Sequence, residues 1–408
     1  MITFTRQAGF LVLCTFVVGT WIGFFWREAF VSKEKQLIQS TQFMKKKSFP
    51  LQSVSELRKG DKLNLSKCSM PKRNIFFMKT HKTAGSTVQN VLVRYADQHD
   101  LFVGLSENAD FRFHYSQGLF FRTSFVRKTE KEINMLCHHM RFFKQQVMSI
   151  MPEDTMYFTI LREPSAHFES FFSYLHWHNA AFSLVPQSME GLNVWLDDPE
   201  KYYHGKKDGN NWWFAKNGMA FDLGFNNNNN DELYIKKAID DMTSTYHLVL
   251  ITDYFEESVI LLKDALCWNL MDMVYLPLNA RSDKASNLTD SLRTKIKNWN
   301  KLDSAIYDTF NKTFWKKVHA YGREKMYSEI KELKKLNQQL LAECVDGDSV
   351  ENAFISNPDN KPYNPEGVKM MGYNLKQEAK DEKFCQDLVK TTKAWFKFLL
   401  QKQYAYSL

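Results

Sequence analysis

The stretch Phe76-Phe77-Met78-Lys79-Thr80-His81-Lys82-Thr83-Ala84-Gly85-Ser86-Thr87 decides how the chain is read. The run 74–78 predicts a buried strand, and the loop after it is rich in Lys, Thr, Ser and Gly. A helix follows, with Ser86 as the expected N-cap and Val88, Val91, Leu92 and Tyr95 on one face. Strand, basic hydroxyl-bearing loop and helix N-terminus together build an anion site from free N–H groups, a helix dipole and a lysine. A phosphate is the expected ligand. The loop is not a Walker A motif, because Lys82 precedes Gly85 instead of following the glycines.

A second element has the same logic. Residues 155–161 read as a buried strand stopped by Arg162-Glu163-Pro164, and Pro164 suits the first turn of a helix carrying Phe168, Phe171, Phe172 and Leu175. Arg162 at the strand end and Ser170 two turns into the helix can share one phosphate, by guanidinium fork and hydroxyl. A third pair, strand 247–252 and helix 255–267, completes the alternation. The fold class is therefore α/β: a P-loop-like parallel sheet flanked by helices, with ligands at the C-terminal strand edges.

The chain has 408 residues, 44% of them apolar, enough for one large α/β domain or two smaller ones. Residues 9–26 hold no charge and form an expected signal-anchor transmembrane helix, preceded by a short tail (1–8) and followed by a polar stem (27–70). Bulky Trp21, Phe24, Phe25 and Trp26 at its end argue against a cleaved signal peptide. The catalytic domain is expected over 71–408, lumenal, with N-glycosylation acceptors at Asn64, Asn287 and Asn311. Beyond Cys14 there are five cysteines, an odd number whose pairing spacing does not reveal. With 54 basic and 46 acidic residues the net charge is +8, suited to a polyanionic donor. Spread-out lysines and the lack of a basic arm speak against nucleic acid. His176-Trp177-His178 invites a metal reading, but side chains two apart diverge on a helix, and no metal is expected.

The strings NIFFMKTHKTAGST, CHHMRF, FTILREPSAHFESFFSY, FDLGF, YHLVLITDYFEESVILLKDALCW, LNARSD and NKTFWKKV resemble the galactose 3-O-sulfotransferases from about Pro71 onward. LLKDALCW, Cys344-Val-Asp-Gly347 and Gly372-Tyr-Asn-Leu-Lys376 are most similar to the family's galactosylceramide-sulfating branch. Gly85, His138 and Glu163 depart from the family pattern, which has serine, asparagine and aspartate there. The resemblance implies a Golgi type II membrane enzyme that moves a sulfonate from 3′-phosphoadenylyl sulfate (PAPS) to the 3-hydroxyl of a terminal galactose. It implies galactosylceramide or lactosylceramide as acceptor, and leaves a homodimer open. By the same resemblance Lys82, Thr83, Ala84, Gly85, Ser86 and Thr87 surround the 5′-phosphosulfate, and Arg162 with Ser170 holds the 3′-phosphate.

Sulfonate transfer is an in-line displacement helped by positioning and electrostatics. Lys82 is the expected cation for the leaving group. The base is a histidine or carboxylate: His139 ranks ahead of His81, with a carboxylate such as Glu169 behind. Trp195, Trp212, Trp213, Tyr202 and Tyr203 read first as core and second as a stacking platform for the sugar. Three rivals remain: a kinase-like nucleotide enzyme, a non-catalytic glycan-binding protein that has lost the chemistry, and the same chemistry on another galactose-terminated glycan.

Overall fold

In the computed structural model, residues 70–108, 110–281 and 288–404 are described. The expected tail, anchor and nearly all of the stem, with Cys14, Cys68, Asn64 and Asn287, lie outside them. No described helix is long and apolar enough to cross a membrane.

Four parallel strands form the central sheet: β1 (Ile75–Met78), β2 (Met135–Leu136), β3 (Met156–Leu161) and β4 (Leu248–Ile251), in the order β2-β1-β3-β4. Every residue of all four is buried, the continuous apolar pattern of a sheet covered on both faces. Phe77 pairs in register with Phe158, and their rings stack at 4.8 Å.

From β1 the chain passes to β2 on one side, then returns to β3 on the other. The strand order therefore reverses between β1 and β3, where open α/β sheets bind ligands beyond their carboxyl ends. The expected loop 79–84 leaves β1 at that edge, Arg162 leaves β3 there, and the string Cys137–Phe142 leaves β2 beside them. The two-residue β2 was not anticipated. It is what brings His139 to the edge.

The helices used below are α1 (Gly85–Gln98), α2 (Pro164–Leu175), α3 (Gly218–Asp222), α4 (Glu232–Thr245), α5 (Phe255–Leu266), α6 (Asp290–Trp299), α7 (Lys301–Tyr321), α8 (Arg323–Cys344), α9 (Lys383–Val389) and α10 (Thr392–Tyr404). α1 packs on α9 and α10, α2 on α6, and α7 on β4, α4 and α8. The stretch 323–343, whose Met326, Ile330, Leu333, Leu336 and Leu340 stand at helical spacing, forms α8 and packs on the domain through Met326, Leu333 and Leu340.

One expectation needs correction. Ser86 is not the N-cap; Ala84 is, at φ 61°, with no side-chain cap bond. The stretch 384–402 is two helices, α9 and α10, and Asn90 Nδ2 donates to the carbonyls of Asp387 and Lys390 at the end of α9, at 2.9 and 3.2 Å. The asparagine run 226–230 is a loop tied to the core: Asn227 is buried and bridges the backbone of Lys216 and the side chain of Asn217. Cys344 and Cys385 form a disulfide, Cys267 is also disulfide-bonded, and Cys137 is free and buried. Asn311 lies within α7, half-buried, its amide oxygen enclosed.

Candidate active site

The loop after β1 holds its shape from within. Thr80 Oγ1 donates to the Ile160 carbonyl at 2.6 Å, and Thr83 Oγ1 to the Thr80 carbonyl at 3.1 Å. Thr83 is fully buried, so its hydroxyl serves the loop. Lys82 (φ 58°) and Ala84 (φ 61°) are left-handed, a conformation that costs a non-glycine residue roughly 1 kcal/mol or more and concentrates at functional sites. Among the described residues, no hydrogen bond is donated by the N–H groups of Lys82 to Ser86. Unpaired donors at a helix N-terminus are an anion receptor. A Cβ at Gly85 would meet Lys79 Cγ at 2.9 Å, so the inward course of the Lys79 side chain is fitted to the glycine.

The loop's two lysines part company. Lys79 turns inward, fully buried, donating to Gln89 Oε1 at 2.5 Å and to Thr392 Oγ1 at 3.5 Å. Lys82 stays partly exposed at the C-terminal edge of the sheet, its Nζ 3.5 Å from the centre of the Tyr174 ring. Burial, then the nearby Arg281 and Arg162, lowers the Lys82 ammonium to about 7. Arg162 Nη1 donates to the Lys82 carbonyl at 3.0 Å, so the two elements read from sequence do meet.

Ser170 is buried on α2, three residues after His167 and four before Tyr174. His167 Nε2 donates to the His81 carbonyl at 2.9 Å and Tyr174 lies under Lys82, so this helical face backs the loop. The Ser170 hydroxyl makes no hydrogen bond among the described residues and is not tied to Arg162. Ser86 and Thr87 have partners already: their hydroxyls accept from Asn279 Nδ2 at 3.0 Å and from the Leu278 N–H at 3.1 Å. Arg281 grips Glu169 with both guanidinium nitrogens, at 2.8 and 3.1 Å. That fork makes Glu169 a poor base.

The histidines sort themselves by partner. His138 is buried, with no partner for either ring nitrogen among the described residues; burial drops it to about 3, and it packs edge-on against Phe113 and Phe396. It belongs to the core. His139 Nδ1 lies 3.0 Å from the Lys79 carbonyl, and a carbonyl only accepts, so Nδ1 carries the proton and Nε2 the lone pair. His81 stacks on His139 with ring centres 3.7 Å apart, and its Nδ1 lies 3.1 and 3.2 Å from the two oxygens of Asp222. Burial lowers both rings from the usual histidine range, with Asp222 working the other way on His81.

The tryptophans are core, the first of the two readings. Trp195 and Trp213 are buried and Trp212 nearly so, in one cluster with Phe168, Phe171 and Phe182, against which Tyr202 and Tyr203 pack. Arg141 is a packing element too, its guanidinium between the rings of Phe120 (3.8 Å) and Phe221 (4.1 Å). The residues that sequence reasoning missed are Lys79, Tyr115, Asp222 and Arg281. Asp222 and Arg281 stand within FDLGF and LNARSD, but 141 residues separate Asp222 from His81 and 112 separate Arg281 from Glu169, so no local pattern links them.

An anion loop at the switch point of a parallel sheet, its lysine ahead of its glycine and imidazoles beside it, describes a sulfotransferase. The sequence model of the galactose-3-O-sulfotransferase family matches residues 4–403. Among curated proteins, the chain is 37% identical over 316 residues to galactose-3-O-sulfotransferase 2 of Mus musculus, covering 75% of this chain and 78% of the relative. It is 37% identical over 315 residues to galactosylceramide sulfotransferase of Homo sapiens, with 75% and 73% coverage. The figure is again 37%, over 341 residues with 81% and 78% coverage, for galactose-3-O-sulfotransferase 3 of Mus musculus. The chain belongs to the galactose-3-O-sulfotransferase family.

Proposed function

We propose that the protein transfers the sulfonate of PAPS to the 3-hydroxyl of a terminal β-galactose, with galactosylceramide as acceptor. The observation that carries this is the set of unpaired N–H groups from Lys82 to Ser86, with Lys82 at the sheet edge and Arg162 bonded across the switch point. Those donors and Lys82 fit a 5′-phosphosulfate. Arg162 and the unpartnered hydroxyl of Ser170 fit a second phosphate on the same nucleotide. The loop holds a left-handed backbone for a polyanion to complete, and two further cations, Arg281 and Arg162, lie near enough to Lys82 to help depress its ammonium. A bound anion relieves that repulsion.

In the reaction, the lone pair of galactose O3 forms the new O–S bond. The S–O bond to the 5′-phosphate breaks, and its electron pair stays on the phosphate oxygen, where Lys82 neutralises it. The O3 proton passes to an imidazole Nε2. Lys82 does the electrostatic work, of the order of 10²–10³-fold for one preorganised donor. Membrane anchoring through residues 9–26 and a Golgi lumenal location are supported by the apolar run and by disulfides in the folded part.

A transfer assay tests the reading: the folded chain, sulfur-35 PAPS, and galactosylceramide, lactosylceramide or a galactosyl-terminated disaccharide, with Lys82→Ala alongside. Label on the galactolipid, lost in the variant, is the expected result. Label on the disaccharide alone keeps the chemistry and replaces the acceptor; no label from folded protein overturns the reading.

A further inference from the structure

Asp222 closes the C-terminal end of α3, wholly shielded from solvent. Everything that reaches its carboxylate comes from the site. Oδ2 accepts the backbone N–H of His81 at 2.6 Å, both oxygens face His81 Nδ1, and the Tyr115 hydroxyl donates to Oδ1. α3 is itself fixed, because Asp303 of α7 accepts the N–H groups of Met219 and Ala220 at 3.1 and 2.8 Å. The carboxylate is thus held by the fold and aimed at one ring.

We propose that His81 is the base for the acceptor hydroxyl, and that Asp222, braced by Tyr115, is the positioning residue that sets its tautomer and stabilises its imidazolium. The inference rests on the sulfotransferase reading. It reverses the order expected from sequence, in which His139 came first.

The two stacked rings differ in what they can do with a proton. Both carry Nδ1–H and leave Nε2 for the substrate. When a ring takes the O3 proton it becomes an imidazolium in a buried, cation-rich place. Facing His81 are Lys79 in its own loop, His139 beyond β2, His167 of α2, and Arg112, which is itself paired with Asp110 at 2.9 Å. Tyr115 and Phe214 contribute ring contacts at 4.4 and 5.0 Å. Asp222 is the anion in direct contact with His81. His139 has a carbonyl instead, that of Lys79, whose own ammonium opposes further positive charge. A carboxylate against Nδ1–H holds the productive tautomer and favours the protonated ring, which a neutral acceptor does only weakly. The O3 proton therefore settles on His81 Nε2, and His139 serves as the stacked neutral partner.

Tyr115 has an opposite, smaller part. By donating to Oδ1 it takes up some of the carboxylate's charge, so losing that hydroxyl makes Asp222 a stronger partner for His81. The two variants should then move His81 in opposite directions, an outcome that a purely structural role would not produce.

The experiment is a histidine NMR titration of the folded chain together with the pH profile of kcat/KM, for wild type, Asp222→Asn and Tyr115→Phe. Asp222→Asn should move the His81 titration and the acid limb to lower pH and cut kcat about 10²-fold or more. Affinity for 3′,5′-adenosine diphosphate should stay within about twofold, since the asparagine carbonyl oxygen can still accept the His81 backbone N–H that anchors the donor loop. Tyr115→Phe should move both readouts to higher pH. An unmoved His81 titration in both variants, or a shift in the same direction, overturns the proposal. If Asp222→Asn does not fold, Tyr115→Phe decides alone: an upward shift supports the relay and none overturns it. The titration needs no turnover, so a wild type without sulfonate transfer would strike the functional reading and leave the His81–Asp222 coupling to be judged separately.

Discussion

The loop 79–87 and the aromatic segment 195–214 could both be read as ligand surfaces, and the fold treats them oppositely. In the loop, donors that could have been paired are left unpaired and two residues are held left-handed. In the segment, indoles that could have faced a sugar are packed away, and the Trp195 N–H donates to the Ala181 carbonyl at 2.9 Å. Unsatisfied polar groups are costly, and a run of consecutive unpaired N–H groups at a helix N-terminus persists where a ligand completes it. What separates the two regions is that run of donors in the loop against close ring packing in the segment.

The comparison can be broken by substitution. Lys82→Ala should lower kcat roughly 10³-fold with the melting temperature unchanged, because a partly exposed lysine contributes charge and little packing; steady-state kinetics beside a thermal melt would show it. Full activity would remove Lys82 from the leaving-group role. Trp195→Ala should do the reverse: about 3–5 kcal/mol less stability in denaturant unfolding, with donor affinity kept in the folded fraction. If that variant lost affinity for 3′,5′-adenosine diphosphate without losing stability, the segment would be a site after all.

Arg162→Ala should weaken that nucleotide by roughly 10–100-fold, the scale of a charge-assisted bond, as read by calorimetry. A smaller effect concerns pH. The Lys82 ammonium is lowered to about 7 and an anion binds its protonated form. Nucleotide affinity should be flat below pH 7 and fall by up to about tenfold per pH unit above it, until the pKa of the bound state is passed. Lys82→Arg, permanently charged, should flatten that slope; an equally steep slope would assign it to another group, with Lys79 the first to consider. Least affected should be Tyr203→Phe, which removes one bond to Asn228 at an exposed position, for about 1 kcal/mol or less and no change in transfer.

How far the sequence could be read follows from how local each feature is. β1, β3 and β4 announce themselves as contiguous apolar runs, whereas β2 is two residues long and offers no pattern to detect. The anion loop is legible because its lysine, hydroxyls and glycine are adjacent. Which of its two lysines faces the ligand is not, because Lys79 is drawn inward by Gln89 of α1 and by Thr392, more than 300 residues away in sequence. The histidine string 137–139 is visible, but its division into core His138 and edge His139 depends on Phe113 and Phe396. Asp222 stands in the visible string FDLGF, but its link to His81, 141 residues away, exists only in the folded chain.

The disulfide between Cys344 and Cys385 has a reach beyond its own helices. It ties the end of α8 to α9, from which the chain runs directly into α10 and Thr392, the residue behind Lys79 and Gln89. Closing 41 residues of sequence restrains the unfolded chain by about 4 kcal/mol in the chain-entropy account. The back wall of the donor loop is therefore fastened by an oxidation event. A polypeptide synthesised in a thiol-reducing cytosol, with this bond unformed, would carry every residue of the site and still lack the clamp that keeps Lys79 turned inward.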